Sequence, residues 1–274
     1  MTGRVFSTFL LWAMVAAAAI FFGAFGAVGL AVVTAFLAQF EIYKIFESRG
    51  QNPMSVLGLS LGVAVSVSPI FAGIYAFSTP DLLAPSIVIL GICAILARPC
   101  GKITDTFIST MTGLVLGPFL LSYVCLAIYR YGAGREGLLV ALWIVMATKF
   151  TDMGALLAGL AFGRHKLAPS LSPKKTWEGV CGGVFLCVAS SAVYAYGCAQ
   201  WLPAGFTPGR AALIALPLSA IAILADLLES AFKREGKIKD SGRIIPGIGG
   251  VFDLVDSLMF CAPFAYYALA VFVG

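Results

Sequence analysis

Long apolar runs alternate with short polar breaks along the whole chain, a spacing suited to the thickness of a bilayer. A spanning helix needs about 20 mostly apolar residues. Runs near that length fall at 5–21, 23–46, 54–78, 82–99, 106–129, 137–162, 177–200, 210–233 and 251–273. The pattern predicts an all-α fold with about nine transmembrane helices. The first two spans are split only by the Gly-rich FFGAFGAVG, and the fourth is short. No segment remains for a separate soluble domain.

Composition agrees with that reading. The 274 residues are 60% hydrophobic, with a mean hydropathy of +0.98, more apolar than a soluble core of this size requires. Cytoplasmic loops retain Lys and Arg. Nine spans put Arg130, Arg135 and Arg210 on one side, Lys149 inside a span, and the other fourteen Lys/Arg on the opposite side. The bias predicts a cytoplasmic N-terminus and polar loops facing the cytosol. Arg4 and the run after it also have the form of a cleavable signal. Another span follows at once, however, and the remaining loops keep their sides either way. The seven cysteines are scattered singly without metal-type spacing, as expected of small packing residues.

The chain divides into an N-terminal helical scaffold, 1–135, and a C-terminal part, 136–274, where the polar chemistry lies. In the first part Glu41, near the end of a span beside Tyr43 and Lys44, is within reach of a site but reads better as a snorkelling interfacial carboxylate, and Asp105 reads as a charge at a helix start. In the second part, Lys149 and Asp152 are three apart on one helical face and can neutralise each other. Gly154, Gly159 and Gly163 suit close helix packing.

The stretch from Asp226 to Asp256 holds five Lys/Arg and six Asp/Glu in 31 residues, whereas only 11% of the chain is charged. Charge held at the edge of lipid is costly, so function is its default explanation. Asp226, Glu229, Ser230 and Lys233 share a face of the eighth span, and Asp253 and Asp256 share a face of the ninth. Two antiparallel helices can then direct Asp226, Asp253 and Asp256 toward one point near the surface. Such hard oxygen donors suit Mg²⁺. Lys233, Arg234, Lys237, Lys239 and Arg243 supply cations for phosphate oxygens.

The loop SPKKTWEG adds to this. Ser172 before Pro173 has the form of a helix N-cap, so free amides together with Lys174 and Lys175 would cradle an anion. A basic loop gripping anionic lipid head groups is the alternative, and Trp177 is an interfacial anchor under either. No Ser-His-Asp or Cys-His arrangement can be assembled without the one histidine, His165, so acyl transfer and hydrolysis by a histidine base are poor candidates. A phosphate nucleophile needs no strong base, since its second pKa is about 6. By these residues alone a transporter for anions or divalent metals stays open, although no internal repeat supports it.

Two motifs carry a resemblance. Ser230-Ala-Phe-Lys233-Arg234, Lys239-Asp240-Ser-Gly242, Pro246-Gly247, Gly249-Gly250, Asp253 and Asp256 resemble the signature of the phosphatidate cytidylyltransferase (CDP-diacylglycerol synthase) family. The run Ser172 to Gly179 resembles a second motif of that family, and Asp152 with Gly159 and Gly163 the segment before it. The resemblance implies a membrane enzyme of phospholipid synthesis in which phosphatidic acid attacks the α-phosphorus of CTP, giving CDP-diacylglycerol and pyrophosphate. It further implies Mg²⁺ with a second cation such as K⁺, a homodimer, no nucleic-acid partner, and a cytosol-facing site in the inner membrane. Asp226 and Asp253, with Asp256 close by, would bind metal. Lys233, Arg234, Lys239, Asp240, Ser172, Lys174 and Lys175 would form the nucleotide and phosphate site, with Ser230, Gly249 and Gly250 alongside. Two positions depart from the family pattern: Ile248 replaces a common His, and Leu254 a common Arg. A CTP-dependent transferase or kinase acting on another lipid phosphate or a polyprenol is the reading nearest to this one, and a CTP-binding homologue without activity is a further one.

Overall fold

The Gly-rich stretch between the first two predicted spans breaks helix α1 (Thr2–Ser48) at Gly23, whose φ of 58° is a left-handed conformation that favours glycine. The computed structural model describes residues 2–71, 79–236, 241–242 and 249–274, with side chains from residue 13 onward except residue 80. Further helices are α2 (Ser55–Phe71), α3 (Thr79–Ala97), α4 (Ile103–Leu114), α5 (Leu120–Arg130), α6 (Arg135–Phe162), α7 (Trp177–Gly197), α8 (Pro208–Glu235) and α9 (Phe252–Phe272). A π-helical turn, Val115–Phe119, joins α4 to α5 and contains Pro118, which has no N–H for the regular ladder.

Six of the described helices are long and apolar enough to cross a membrane: α1 from Ala13, the continuous Ile103–Arg130, α6, α7, α8 and α9. Ser55–Phe71 and Asp81–Ala97 are apolar but shorter. Large side chains such as Phe21, Leu96, Leu160 and Val271 are exposed on these helices, as lipid-facing surface should be. The molecule is a multi-pass, mostly helical membrane protein.

One feature departs from an all-helical reading. Lys166–Ala168 (β1) and Ser172–Thr176 (β2) pair as a short antiparallel hairpin, with Lys166 opposite Thr176 and Ala168 opposite Ser172. Ser172 is therefore not the cap of α7. The residue before a proline is disfavoured in α geometry, so Pro173 holds Ser172 extended. The cap is Thr176, four residues later, whose hydroxyl accepts from Gly179 N at 3.2 Å.

The described residues form two compact units, Met1–Tyr129 with Phe232–Val255, and Arg130–Ala231 with Asp256–Gly274. In the first, Val65, Leu90 and Leu114 pack with Leu57, Phe107 and Phe119. Glycines admit a polar network there. Gln39 Nε2 donates to Tyr43 Oη and to Gly58 O, both at 2.8 Å, and Tyr43 Oη donates to Thr110 O at 2.9 Å. A Cβ at Gly58 or Gly113 would strike the Tyr43 ring or hydroxyl.

In the second unit, α6 and α7 meet backbone to backbone. A Cβ at Gly154 would lie 2.5 Å from Gly182 O, one at Gly179 would lie 2.8 Å from Ala155 O, and one at Gly183 would lie 2.9 Å from Thr151 O. Small residues permit this approach, the usual basis of helix association in lipid. Buried Trp143 meets Phe206 edge to face, with centroids 5.1 Å apart. Cys187 and Cys261 are buried free thiols, each 3.6 Å from a backbone carbonyl of α8, consistent with packing roles.

Candidate active site

Successive side chains on a strand point to opposite faces, and β2 uses this. Lys174 is exposed, while Lys175 turns the other way and its Nζ lies 2.7 Å from Asp226 Oδ2 on α8. The hairpin that aims Lys175 is fastened by Glu178, which accepts from the backbone N of Arg164 at 3.1 Å and of His165 at 3.2 Å. Glu178 also contacts His165 Nδ1 at 2.6 Å. Trp177 N closes the turn on His165 O at 2.9 Å. The sole histidine thus has a structural partner.

Asp226 belongs to a cluster. One carboxylate oxygen each from Asp226, Glu229 and Asp256 lies within 4.8 Å of the other two. The spacing of three between Asp226 and Glu229 puts both on one face of α8, and Asp256 enters from the first turns of α9. Glu229 and Asp256 are buried. Nearby, Lys149 Nζ pairs with Asp152 Oδ2 at 3.1 Å, and Ser257 Oγ donates to Asp152 Oδ1 at 3.4 Å. All of these residues belong to the second unit.

The first unit carries its own polar group, centred on Asp253 in the first turn of α9. Its carboxylate accepts from Ser241 N at 3.2 Å and Gly250 N at 3.1 Å, and Lys233 Nζ from α8 is 3.4 Å away. Gly249 has φ of 123°, outside what side-chain-bearing residues readily adopt. Gly250 has no room for a Cβ, which would strike Ser241 Oγ and Glu41. Glu41 is not an interfacial carboxylate: it is 3% exposed and accepts from Ser241 Oγ at 2.9 Å and Phe252 N at 2.8 Å.

Residues 2–272, nearly the whole chain, match the model of the cytidylyltransferase family. The chain belongs to the cytidylyltransferase family. This family member is 32% identical to the phosphatidate cytidylyltransferase of Staphylococcus aureus (strain COL) over 246 residues, 87% of this chain and 88% of that one. It is 28% identical to the phosphatidate cytidylyltransferase of Bacillus subtilis (strain 168) over 247 residues, 90% of this chain and 79% of that one. The phosphatidate cytidylyltransferase of Haemophilus influenzae is 36% identical over 151 residues, 55% of this chain and 52% of that relative.

Among the residues expected in this cytidylyltransferase-family site, Asp226, Asp256 and Lys175 come together in one group, and Lys233, Asp253 and Gly250 in another. Ser172 is half-buried at the start of β2, Ser230 half-buried on α8, and Arg234 exposed at its end. Lys239, Asp240, Lys237, Arg243 and Ile248 lie outside the described residues. Leu254 sits half-buried in the first turn of α9. Two residues beside these groups, Glu229 and Glu41, were not among the expected site residues. Glu229 was on the right face, and its spacing from Asp226 was the signal. Glu41 was weighed as within reach of a site on its charge near the end of an apolar helix, and the interfacial reading was preferred.

The donor set fits Mg²⁺. Three hard carboxylate oxygens converge, leaving positions for waters and phosphate oxygens. Among the described residues Asp226, Glu229 and Asp256 converge and would hold an ion, and the metal-binding role that the resemblance gives Asp253 falls in the first unit.

Proposed function

We propose that this chain transfers the cytidylyl group of CTP to phosphatidic acid, forming CDP-diacylglycerol and releasing pyrophosphate, at the cytosolic face of the inner membrane. The carrying observation is the match of almost the entire chain to the cytidylyltransferase family, with relatives named phosphatidate cytidylyltransferase over 87% and 90% of its length. A phosphate oxygen of phosphatidic acid, ionised at neutral pH, forms a bond to the α-phosphorus. The bond from that phosphorus to the oxygen bridging to the β-phosphate breaks, and pyrophosphate leaves with the electron pair. No proton need be removed, so engagement of His165 by Glu178 costs the reaction nothing.

The protein's own contribution is to hold anions in place. Lys175, oriented by Asp226, and Lys233, oriented by Asp253, present fixed ammonium groups. Lys174, Ser172, Ser230 and Arg234, with Lys239 and Asp240, complete the binding of nucleotide and lipid phosphate. Gly249 and Gly250 keep the backbone low beside Asp253. Mg²⁺ held by the carboxylates would offset the charge of the triphosphate and of the transition state. A second cation such as K⁺ and a homodimeric assembly belong to the same proposal, on the strength of the family resemblance.

Purified protein in lipid nanodiscs, given Mg²⁺, phosphatidic acid and CTP labelled at the α- or γ-phosphate, tests this. The α-label should move to lipid as pyrophosphate appears. Transfer of the γ-label would mean a lipid kinase, and ion flux in proteoliposomes without turnover would mean a transporter.

Lys149 offers a further check. Leu254 removes a cation common in the family, and Lys149 places an ammonium beside Asp152. Lys149→Met should lower kcat/KM for CTP about tenfold, as loss of one charge-assisted contact implies. Unchanged turnover would rule out that compensation.

A further inference from the structure

We propose that Glu41 is a positioning residue that holds Ser241 and the start of α9, and through them orients the Asp253 carboxylate. The proposal rests on the reading of Asp253 as a metal-binding carboxylate of the cytidylyl-transfer site, the role that the family resemblance implies for it. Glu41 comes from α1, and its two partners lie 200 and 211 residues further along the chain. One oxygen, Oε2, accepts both the Ser241 hydroxyl and the Phe252 amide. Phe252 opens α9, so the carboxylate lies at the positive end of that helix, where negative charge is favoured.

Ser241 is then gripped from two sides. Its Oγ goes to Glu41 and its N–H to Asp253, while Asp253 follows Phe252 directly in the chain. Any shift of Glu41 moves both the donor to Asp253 and the peptide carrying it.

The surroundings are built for this carboxylate. A Cβ at Gly242 would strike Glu41 Oε1, and one at Gly250 would strike Oε2. Burying a carboxylate is costly unless it is hydrogen-bonded, so packing alone would favour an apolar residue. Further along α1, Phe46 meets Phe232 edge to face at 6.3 Å and Arg49 pairs with Glu235 at 2.6 Å. The end of α1 thus holds both the end of α8 and the beginning of α9.

Glu41→Leu removes the acceptor of both bonds, Glu41→Gln keeps an acceptor oxygen, and Ser241→Ala breaks one of the two bonds from its far end. Outer-shell partners of metal ligands are typically worth 10–100-fold. Glu41→Leu should lower kcat at least about tenfold and weaken Mn²⁺ binding, read by electron paramagnetic resonance without substrate, by a similar factor. The KM for phosphatidic acid should change less than about twofold, because the lipid is not touched. Glu41→Gln should recover most of kcat. Ser241→Ala should shift both readouts in the same direction, and adding it to Glu41→Leu should cost little more.

Mn²⁺ affinity unchanged in both Glu41→Leu and Ser241→Ala overturns the proposal, whatever the rates. If Glu41→Leu does not fold, Ser241→Ala decides alone by the same criterion. Wild-type protein that binds Mn²⁺ yet forms no CDP-diacylglycerol would refute the functional reading instead, and the Mn²⁺ comparison would still decide the role of Glu41.

Discussion

Asp226→Asn should reduce cytidylyl transfer at least about a hundredfold and raise the Mg²⁺ concentration needed for half-maximal rate. The amide keeps the size of the side chain, so packing along α8 is preserved. What changes is charge. A neutral Asn leaves the cluster with two carboxylates, Glu229 and Asp256, which attract a divalent cation less strongly. It also leaves Lys175 without the carboxylate 2.7 Å away that aims it. On this reading Asp226 would hold the ion and orient Lys175 at once, and a neutral amide would do both more weakly. Lys175→Met separates them, since it should impair CTP binding while leaving the Mg²⁺ requirement near that of wild type. Glu229→Gln should raise the Mg²⁺ requirement without affecting Lys175. Asp253→Asn should abolish turnover by releasing Ser241 and Gly250 N–H groups and Lys233 together. Pyrophosphate release with labelled CTP across an Mg²⁺ series is the measurement. Lipid-dependent turnover surviving Asp226→Asn and Asp253→Asn combined would sink the assignment of these carboxylates.

Gly154→Leu should destabilise the protein more than any substitution on its lipid-facing surface. Even a Cβ at this position would lie 2.5 Å from Gly182 O and 2.8 Å from the Leu186 Cβ, so a larger side chain forces α6 and α7 apart. Overpacking typically costs about 1–3 kcal/mol and occasionally more, and the obstacle here is a backbone carbonyl that cannot rotate away. Separation also strips neighbouring contacts, because Gly179 and Gly183 depend on the same close approach. α7 begins at the end of β2, so the disturbance reaches Thr176 and Lys175. Activity should fall with stability. Gly197→Ala, at the far end of α7 with nothing within 4 Å of the added carbon, is the control and should be neutral. Thermal aggregation in detergent, followed by size-exclusion chromatography, compares the two. Equal melting of the Gly154 and Gly197 variants would contradict the packing account.

The contrast between Ser172 and Thr176 shows why part of the site was hidden. Ser-Pro fits both a helix start and an extended segment. The choice between them depended on pairing with residues 166–168, across a turn whose closure no local propensity encodes. Once the segment is a strand, adjacent lysines point apart, and only Lys175 meets Asp226. Glu229 was legible in part, because a spacing of three defines a helical face; membership in the cluster needed Asp256 from another helix. Glu41 was legible as a carboxylate within reach of a site, but the choice between that and an interfacial position was not, since a carboxylate near the end of an apolar helix looks the same whether it meets water or Ser241.

By itself the sequence determined the helical, membrane-embedded nature of the chain, the break at the glycines near residue 23, and the two polar motifs. Those properties follow from local quantities: hydrophobic length against bilayer thickness, backbone freedom at glycine, and charge density in an apolar setting. Tertiary structure alone decided which charges meet. It placed Lys175 on Asp226, added Glu229 to the cluster, and brought Glu41 to Ser241 across 200 residues. A buried ion or hydrogen bond is stable only when its partner is in place, and distant segments acquire their partners only when the chain folds.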